Sequence, residues 1–181
     1  GYNRRFSPHM QAIKKTLGNN HGPLNIVMTM NAGYIPKDHW VHDLKIGGGR
    51  IIGEACHLID LGVFLSGSLV KSVCCSYFGE KMDLRSDNVS IVLKHFNGSN
   101  STINYFSNGS KKYSKERVEV YNQGRTWVND NYRITRAYDV KNFKTLKTKI
   151  DKGHNNQFVK FFKLIREGGK PLISLKEIYN V

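Results

Sequence analysis

Between residues 70 and 147 the sequence is a succession of short apolar–polar alternations separated by turn dipeptides, with no helical periodicity among them. Runs at 70–78, 89–96 and 101–106 are rich in β-branched and aromatic residues, which suit a pleated, half-buried surface. Asn97-Gly98 separates the last two, and Gln123-Gly124 separates strand-like runs at 118–121 and 126–128. Such dipeptides accept positive φ and so close tight hairpins. Two more short strands follow at 132–138 and 143–147. Hairpins that succeed one another without intervening helices pair with their sequence neighbours, so the sheet must be mostly antiparallel.

Helical signals lie towards the two ends of the chain. Ser7-Pro8 is an N-cap followed by proline at the first helical position, and Gly18 stops that helix. Residues 24–30 read as a strand. The run 155–166 predicts an amphipathic helix with Phe158, Phe161, Phe162 and Ile165 inward and Gly168 past its end. Ser174-Leu175-Lys176-Glu177 has the capping-box pattern of a last helix. The fold class expected is α+β: an open, mostly antiparallel sheet with helices packed on one face, as a single domain over residues 1–181.

Gly47-Gly48-Gly49 leads into Arg-Ile-Ile-Gly-Glu-Ala-Cys-His-Leu-Ile-Asp. Three glycines free the backbone from Cβ sterics, which allows a sharp turn beside a ligand or another domain. At 100° per residue, Ile51, Ile52, Ala55, Leu58, Ile59, Gly62, Val63 and Leu65 fall on one arc suited to burial on a sheet. Glu54, His57 and Asp60 fall outside it as one ionisable stripe, flanked by Leu61 and Phe64. A stripe of this kind is either the solvated face of the helix or a functional one. The flanking apolar residues point to a cleft or a second domain. A histidine between two carboxylates would have raised proton affinity, which suits proton exchange near neutral pH.

The loop after the first strand, from Asn31 to the glycines, is long, and long loops in compact domains are usually functional. His39-Trp40-Val41-His42 has the H-x-x-H look without a third ligand nearby, so His39 and Trp40 are read as substrate-lining or packing residues and no metal is expected. A chain of 181 residues with 39% hydrophobic residues can bury a core without disulfides or metal staples. Cys56, Cys74 and Cys75 make an odd count with two adjacent in an apolar run, which predicts reduced, buried thiols in a cytoplasmic protein. No apolar run approaches the roughly 20 residues that span a bilayer. The N-x-S/T sequons at Asn88, Asn97, Asn100 and Asn108 are expected by chance in an asparagine-rich chain. The formal net charge of +14 attracts polyanions, so nucleic acid is one possible partner. The basic residues are spread out, however, in the manner of solvated faces, and an anionic small substrate matches them better. Aromatic residues in the strands suit a base-stacking platform, a sheet core or a subunit contact.

Gly-Gly-Gly, a spacer, His57-Leu58-Ile59-Asp60 and a closing Leu65-Ser66-Gly67 resemble the C-terminal domain of the Gfo/Idh/MocA oxidoreductases, the glucose–fructose and inositol dehydrogenase family. The stretches Asn3-Arg4-Arg5-Phe6-Ser7-Pro8, Asn31-Ala32-Gly33-Tyr34-Ile35-Pro36, Gly153-His154 and Arg166-Glu167-Gly168-Gly169-Lys170-Pro171 carry the resemblance over nearly the whole chain. It is closest to members linked to sugar-nucleotide and surface-polysaccharide metabolism. The resemblance implies that His57 is the catalytic histidine and Asp60 the aspartate after it. Where many members carry an aspartate four residues before the histidine, this chain has Gly53, and the neighbouring carboxylate Glu54 is the expected catalytic substitute, which with Asp60 would tune and orient the His57 imidazole. The resemblance also brings in Asn31, Tyr34, Gly48, Gly49 and His154 as substrate-binding or supporting residues.

The family's nicotinamide site needs a strand, a Gly-rich turn and a helix. No Gly-x-Gly-x-x-Gly follows a buried strand here, and the family's Glu-Lys-Pro triad is absent. The chain is therefore expected to be the substrate domain of a longer NAD(P)-dependent dehydrogenase of sugars or sugar nucleotides. An N-terminal Rossmann domain would hold NAD or NADP, copies would associate through the sheet, and the domain alone would be inactive. The rival readings are a non-catalytic basic module for polyanions such as nucleic acid, and a purely oligomeric domain.

Overall fold

The structure, a computed structural model, describes residues 1–80 and 86–181. After a 3₁₀ turn at Arg4–Phe6, helix α1 spans Pro8–Leu17 and strand β1 spans Asn25–Asn31. A second 3₁₀ turn at Trp40–His42 and a π turn at Ile51–Ala55 precede α2, Cys56–Ser66. The strands β2 (Val70–Tyr77), β3 (Val89–His95), β4 (Asn100–Phe106), β5 (Glu116–Asn122), β6 (Arg125–Asp130), β7 (Ile134–Tyr138) and β8 (Leu146–Lys147) follow. Helices α3, His154–Glu167, and α4, Leu175–Asn180, end the chain. Ser7 caps α1 by accepting from the His9 amide, and Ser174 with Glu177 forms the expected capping box on α4.

All eight strands make one sheet in the order β2-β3-β4-β1-β5-β6-β7-β8. Every neighbouring pair is antiparallel except β1 with β4. The hairpins form where the turn dipeptides stand, with Gly98 at φ 89° and Gln123-Gly124 at φ 47° and 76°. The strands around Gln123-Gly124 are longer than their apolar runs because the ladder continues through Arg117 and Asp130. Strand β8 is only two residues long, and Tyr132 lies in a turn instead of a strand.

Alternate residues of β1, Ile26, Met28 and Met30, face the helices and are buried together with Ile103, Val118, Val120 and Trp127. Helices α1 (Met10, Ile13, Leu17) and α2 (Ala55, Leu58, Leu61, Leu65) cover that face. Gly62 permits a close approach: a Cβ there would stand 2.9 Å from Ser101 Oγ and 3.6 Å from Met28 Cε. The sheet is thus open, mostly antiparallel and covered on one face, as expected.

The structure corrects three packing expectations. The apolar arc counted from Ile51 holds at Ala55, Leu58, Gly62, Val63 and Leu65, which are buried, but Ile52 is 75% exposed, and Leu61, placed outside the arc, is fully buried. Ile52 lies within the π turn, whose extra residue per turn departs from a 100° count. Phe158, Phe161, Phe162 and Ile165 of α3 are not inward but 47–64% exposed, because α3 packs mainly on the Arg4–Phe6 turn and not on the sheet. Cys74 and Cys75 are exposed on β2, an edge strand, instead of buried.

Candidate functional site

Register brings chemically distinct side chains to one end of the sheet. Met30 of β1 pairs with Tyr105 of β4 on one side and Glu116 of β5 on the other. All three are fully buried on the helix-covered face. Asn31 ends β1 one residue further along, and Tyr132 lies in the turn before β7, at the same end of the sheet.

The Arg4–Phe6 turn supplies charge above this row. Arg4 donates to Glu116 through Nε at 2.7 Å and Nη2 at 3.0 Å, and Lys152 Nζ donates to the same carboxylate at 2.6 Å. Burial alone would raise the Glu116 carboxyl, but the Arg4 hydrogen bonds and charge, helped by Lys152, hold it below the ordinary carboxylate range. Arg5 reaches the other way, to Asp60 and to Glu177 of α4. Asp60 is fully buried, and burial raises its carboxyl against the pull of Arg5.

His57 stands in the first turn of α2 with Nδ1 buried and without a hydrogen-bond partner. The Tyr2 ring meets it edge-on at 6.0 Å. Its pKa is pushed down to about 4, first by burial and next by the Arg4 charge, with Glu116 opposing and His154 adding to the depression. The raised proton affinity expected of a histidine between two carboxylates is thus reversed. Asp60 is held by Arg5, Glu54 is held by Arg50, and neither orients the imidazole.

Arg50, unremarked in the sequence reading, links the segments around the site. Its guanidinium donates to the carbonyls of Gly33 at 2.7 Å and Ala32 at 3.1 Å, to Asp87 at 3.1 Å and to Glu54 at 3.5 Å, and it lies 5.6 Å from the Tyr105 ring centroid. The cue for it was the arginine directly after the glycines, four residues before Glu54, the spacing of a helical ion pair. Gly47 passes so close to Val41 that a Cβ would stand 2.6 Å from the Val41 Cα, and Gly48 and Gly49 turn the chain with φ of 69° and 82°. The glycines therefore shape the turn that delivers Arg50.

Asn31 donates its amide to the Ser110 carbonyl at 2.7 Å and leaves Oδ1 without a partner. Tyr34 is 64% exposed and lines a cleft with Lys37, His42, Asp87, Asn88 and Ser107. His154 begins α3 and is exposed. His39 caps the Trp40–His42 turn by accepting from the Val41 amide, and Trp40 is exposed beside it, so both line an open cleft instead of packing in the core. Among the described residues, no group of three or more His, Cys, Asp or Glu side chains is placed to hold a metal ion. No helix is long and apolar enough to cross a membrane.

Among the described residues, five buried side-chain atoms have no hydrogen-bond partner: Asn31 Oδ1, His42 Nε2, His57 Nδ1, Tyr105 Oη and Tyr132 Oη. Native proteins leave few such atoms, and each costs about 1–3 kcal/mol while unmet. The phenols stay protonated because burial raises both, Glu54 adding at Tyr105 and Glu116 at Tyr132. Neutral His57 can accept a hydrogen bond or a proton, while the phenols can donate to oxygen.

No protein-family model matches the sequence, and no curated protein does either. Solved structures do match in fold. Levoglucosan dehydrogenase, solved with NADH and levoglucosan, superposes with a TM-score of 0.77 at 17% identity, over 96% of this chain and 58% of that one. The dehydrogenase MviM from Clostridium difficile gives 0.68 at 22% identity, over 98% and 56%. The aldose-aldose oxidoreductase from Caulobacter crescentus, solved with glycerol, gives 0.73 at 15% identity, over 98% and 56%. The chain spans under three fifths of the length of these proteins, and at such identities the likeness is one of fold. The shared fold is the open, mostly antiparallel sheet with helices on one face.

Proposed function

We propose that this chain is the substrate-binding domain of an NAD(P)-dependent oxidoreductase that acts on a hydroxyl or keto carbon of a sugar or sugar nucleotide. The observation that carries the reading is the buried, unpartnered Nδ1 of His57, near the Arg4 and Glu116 charges at one end of the sheet. Dehydrogenases of the same fold, one solved with NADH and levoglucosan, support it.

The described residues do not fit a dinucleotide. The glycine turn opens into a π turn and α2, not into the helix of a parallel strand–helix–strand unit, and so provides no phosphate cradle. The cofactor would be held by a Rossmann domain of the same protein, and its nicotinamide would exchange the hydride. This chain's part is to bind and orient the sugar and to hold its proton. His57 is kept neutral by burial and Arg4, so its free nitrogen accepts the hydroxyl proton as the carbon is oxidised, or returns it in the reverse direction. Burial first, and next the charge of Arg4 fixed by Glu116, set that protonation state. Asn31 accepts from a sugar hydroxyl. His154 stands at the rim. The uncovered face of the sheet, with Val92, Tyr121 and Tyr138 exposed, is where a second copy would pack.

The test is turnover by the full-length protein with NAD or NADP against a panel of sugars and sugar nucleotides, followed by nicotinamide absorbance. Sugar-dependent reduction of the cofactor is expected. Absence of turnover, together with tight, steeply salt-dependent binding of nucleic acid, would replace this reading with that of a basic module.

A further inference from the structure

The cleft beside His42 is tied to Arg50 through Asp87, which lines it. His42 is 8% exposed, yet its Nε2 has no partner, and it lines this cleft with Tyr34, Lys37, Asp87 and Asn88. The stem of Lys111 lies over Gly33, the residue before Tyr34: a Cβ built at Gly33 would stand 3.4 Å from Lys111 Cε. Among the described residues neither Lys37 nor Lys111 makes an ion pair, whereas the Asp87 carboxylate is engaged by Arg50 at 3.1 Å. The adjoining open cleft shares Lys37 and His42 and adds Asp38, Asp43 and Lys45. There Asp43 is turned into its own loop by accepting from the Lys45 amide at 2.8 Å and the Ile46 amide at 3.2 Å. The cleft therefore presents the Lys37 ammonium group and a buried imidazole nitrogen, with the Lys111 stem close by at Gly33 and the lining carboxylate of Asp87 already engaged by Arg50.

We propose that this cleft is an anion-recognising subsite, which takes a phosphate or carboxylate carried by the sugar whose reacting carbon lies at His57. The proposal rests on the reading of His57 as the reacting end. Arg50 joins the two sites through one guanidinium, which meets Glu54 on the His57 side and Asp87 on the cleft side. A ligand that satisfies both is elongated, with a polyhydroxylated ring at one end and an anion at the other. Lysine meets either anion as a point charge, and His42 with its proton on Nε2 donates a directed hydrogen bond that a solvated surface patch would lack. Tyr34, exposed at the mouth, offers a flat surface to the part of the ligand between them.

The experiment titrates the isotope-labelled chain with glucose, glucose 1-phosphate and glucuronate at constant ionic strength, and reads histidine ring and backbone amide signals. Glucose should move the His57 ring alone. A charged sugar should also move the His42 ring and the Gly33 and Tyr34 amides and bind about tenfold tighter, the worth of one charge-assisted hydrogen bond. A response to glucose 1-phosphate alone assigns the subsite to phosphate, and a response to glucuronate alone assigns it to carboxylate. The double substitution Lys37→Ala with Lys111→Ala should abolish the gain and leave the glucose response intact. Silence of His42 towards both anions while His57 responds overturns the subsite and leaves the His57 reading standing. A lysine-dependent response of His42 with His57 silent supports the subsite and overturns the reading of His57. Shifts spread over the surface lysines, or unchanged in the double variant, also overturn the proposal.

Discussion

At the scale of single residues, the site is organised by buried ion pairs whose partners lie far apart in sequence. Glu116 takes both Arg4 and Lys152, so removing its charge strands two cations in a poorly solvated place. Glu116→Gln should cost about 3–5 kcal/mol, the usual penalty for breaking one side of a buried pair, measured by denaturant unfolding. A loss below about 1 kcal/mol, typical of exposed pairs, would show that water reaches this network. His57 stood out in the sequence from its place after the glycines, and Glu54 from its spacing. The true surroundings of His57 did not, because Arg4 and Glu116 are 112 residues apart and meet only through sheet register. Asp60 reads as part of a stripe on the helix, yet Arg5, 55 residues away, claims it. Arg50 was within the motif and was overlooked because its partners are carbonyls, which leave no mark in a sequence.

At the scale of elements, hairpins were readable because turn chemistry fixes strand pairing over a few residues. The central insertion of β1 between β4 and β5 was not, since long-range pairing carries no local signature. Helix α3 shows the opposite limit: its period was correct, but periodicity reveals an apolar face and not whether anything in the chain covers it. Two substitutions separate these cases. Leu58→Ala on α2 removes a side chain that is 1% exposed and should cost about 2–5 kcal/mol. Phe162→Ser on α3, at 64% exposure, should change the stability of this chain by less than about 0.5 kcal/mol. Equal losses in the two variants would mean that α3 is covered in solution. Gly62→Val tests the contact between α2 and the sheet. Its branched side chain must displace Ser101 and Met28 and should destabilise by about 1–3 kcal/mol in the same assay.

At the scale of the whole molecule, His9, His57 and His95 are all held neutral, in each case first by burial. His9 sits between the hydroxyls of Thr135 and Thr148, and His95 between Ser101 and the Ser68 carbonyl. In the unfolded chain these rings titrate near 6.5. Below that pH the unfolded state binds more protons than the folded one, so stability falls as the pH drops from about 6.5 towards the depressed folded values. The melting temperature should therefore decline between pH 7 and pH 5, and a rise over that window would contradict the buried neutral state. The same depression of His57 underlies the proposed chemistry, in which one end of the sheet binds a sugar and a neutral imidazole takes its proton. Steady-state kinetics of the full-length protein carrying His57→Ala test this most directly. A positioned acid–base group contributes about 10²–10⁴-fold, so kcat should fall within that range while the affinity for NAD or NADP is unchanged, and His57→Asn should be nearly as slow. Turnover close to that of the unsubstituted enzyme in either variant would contradict the account and move the proton transfer out of this domain.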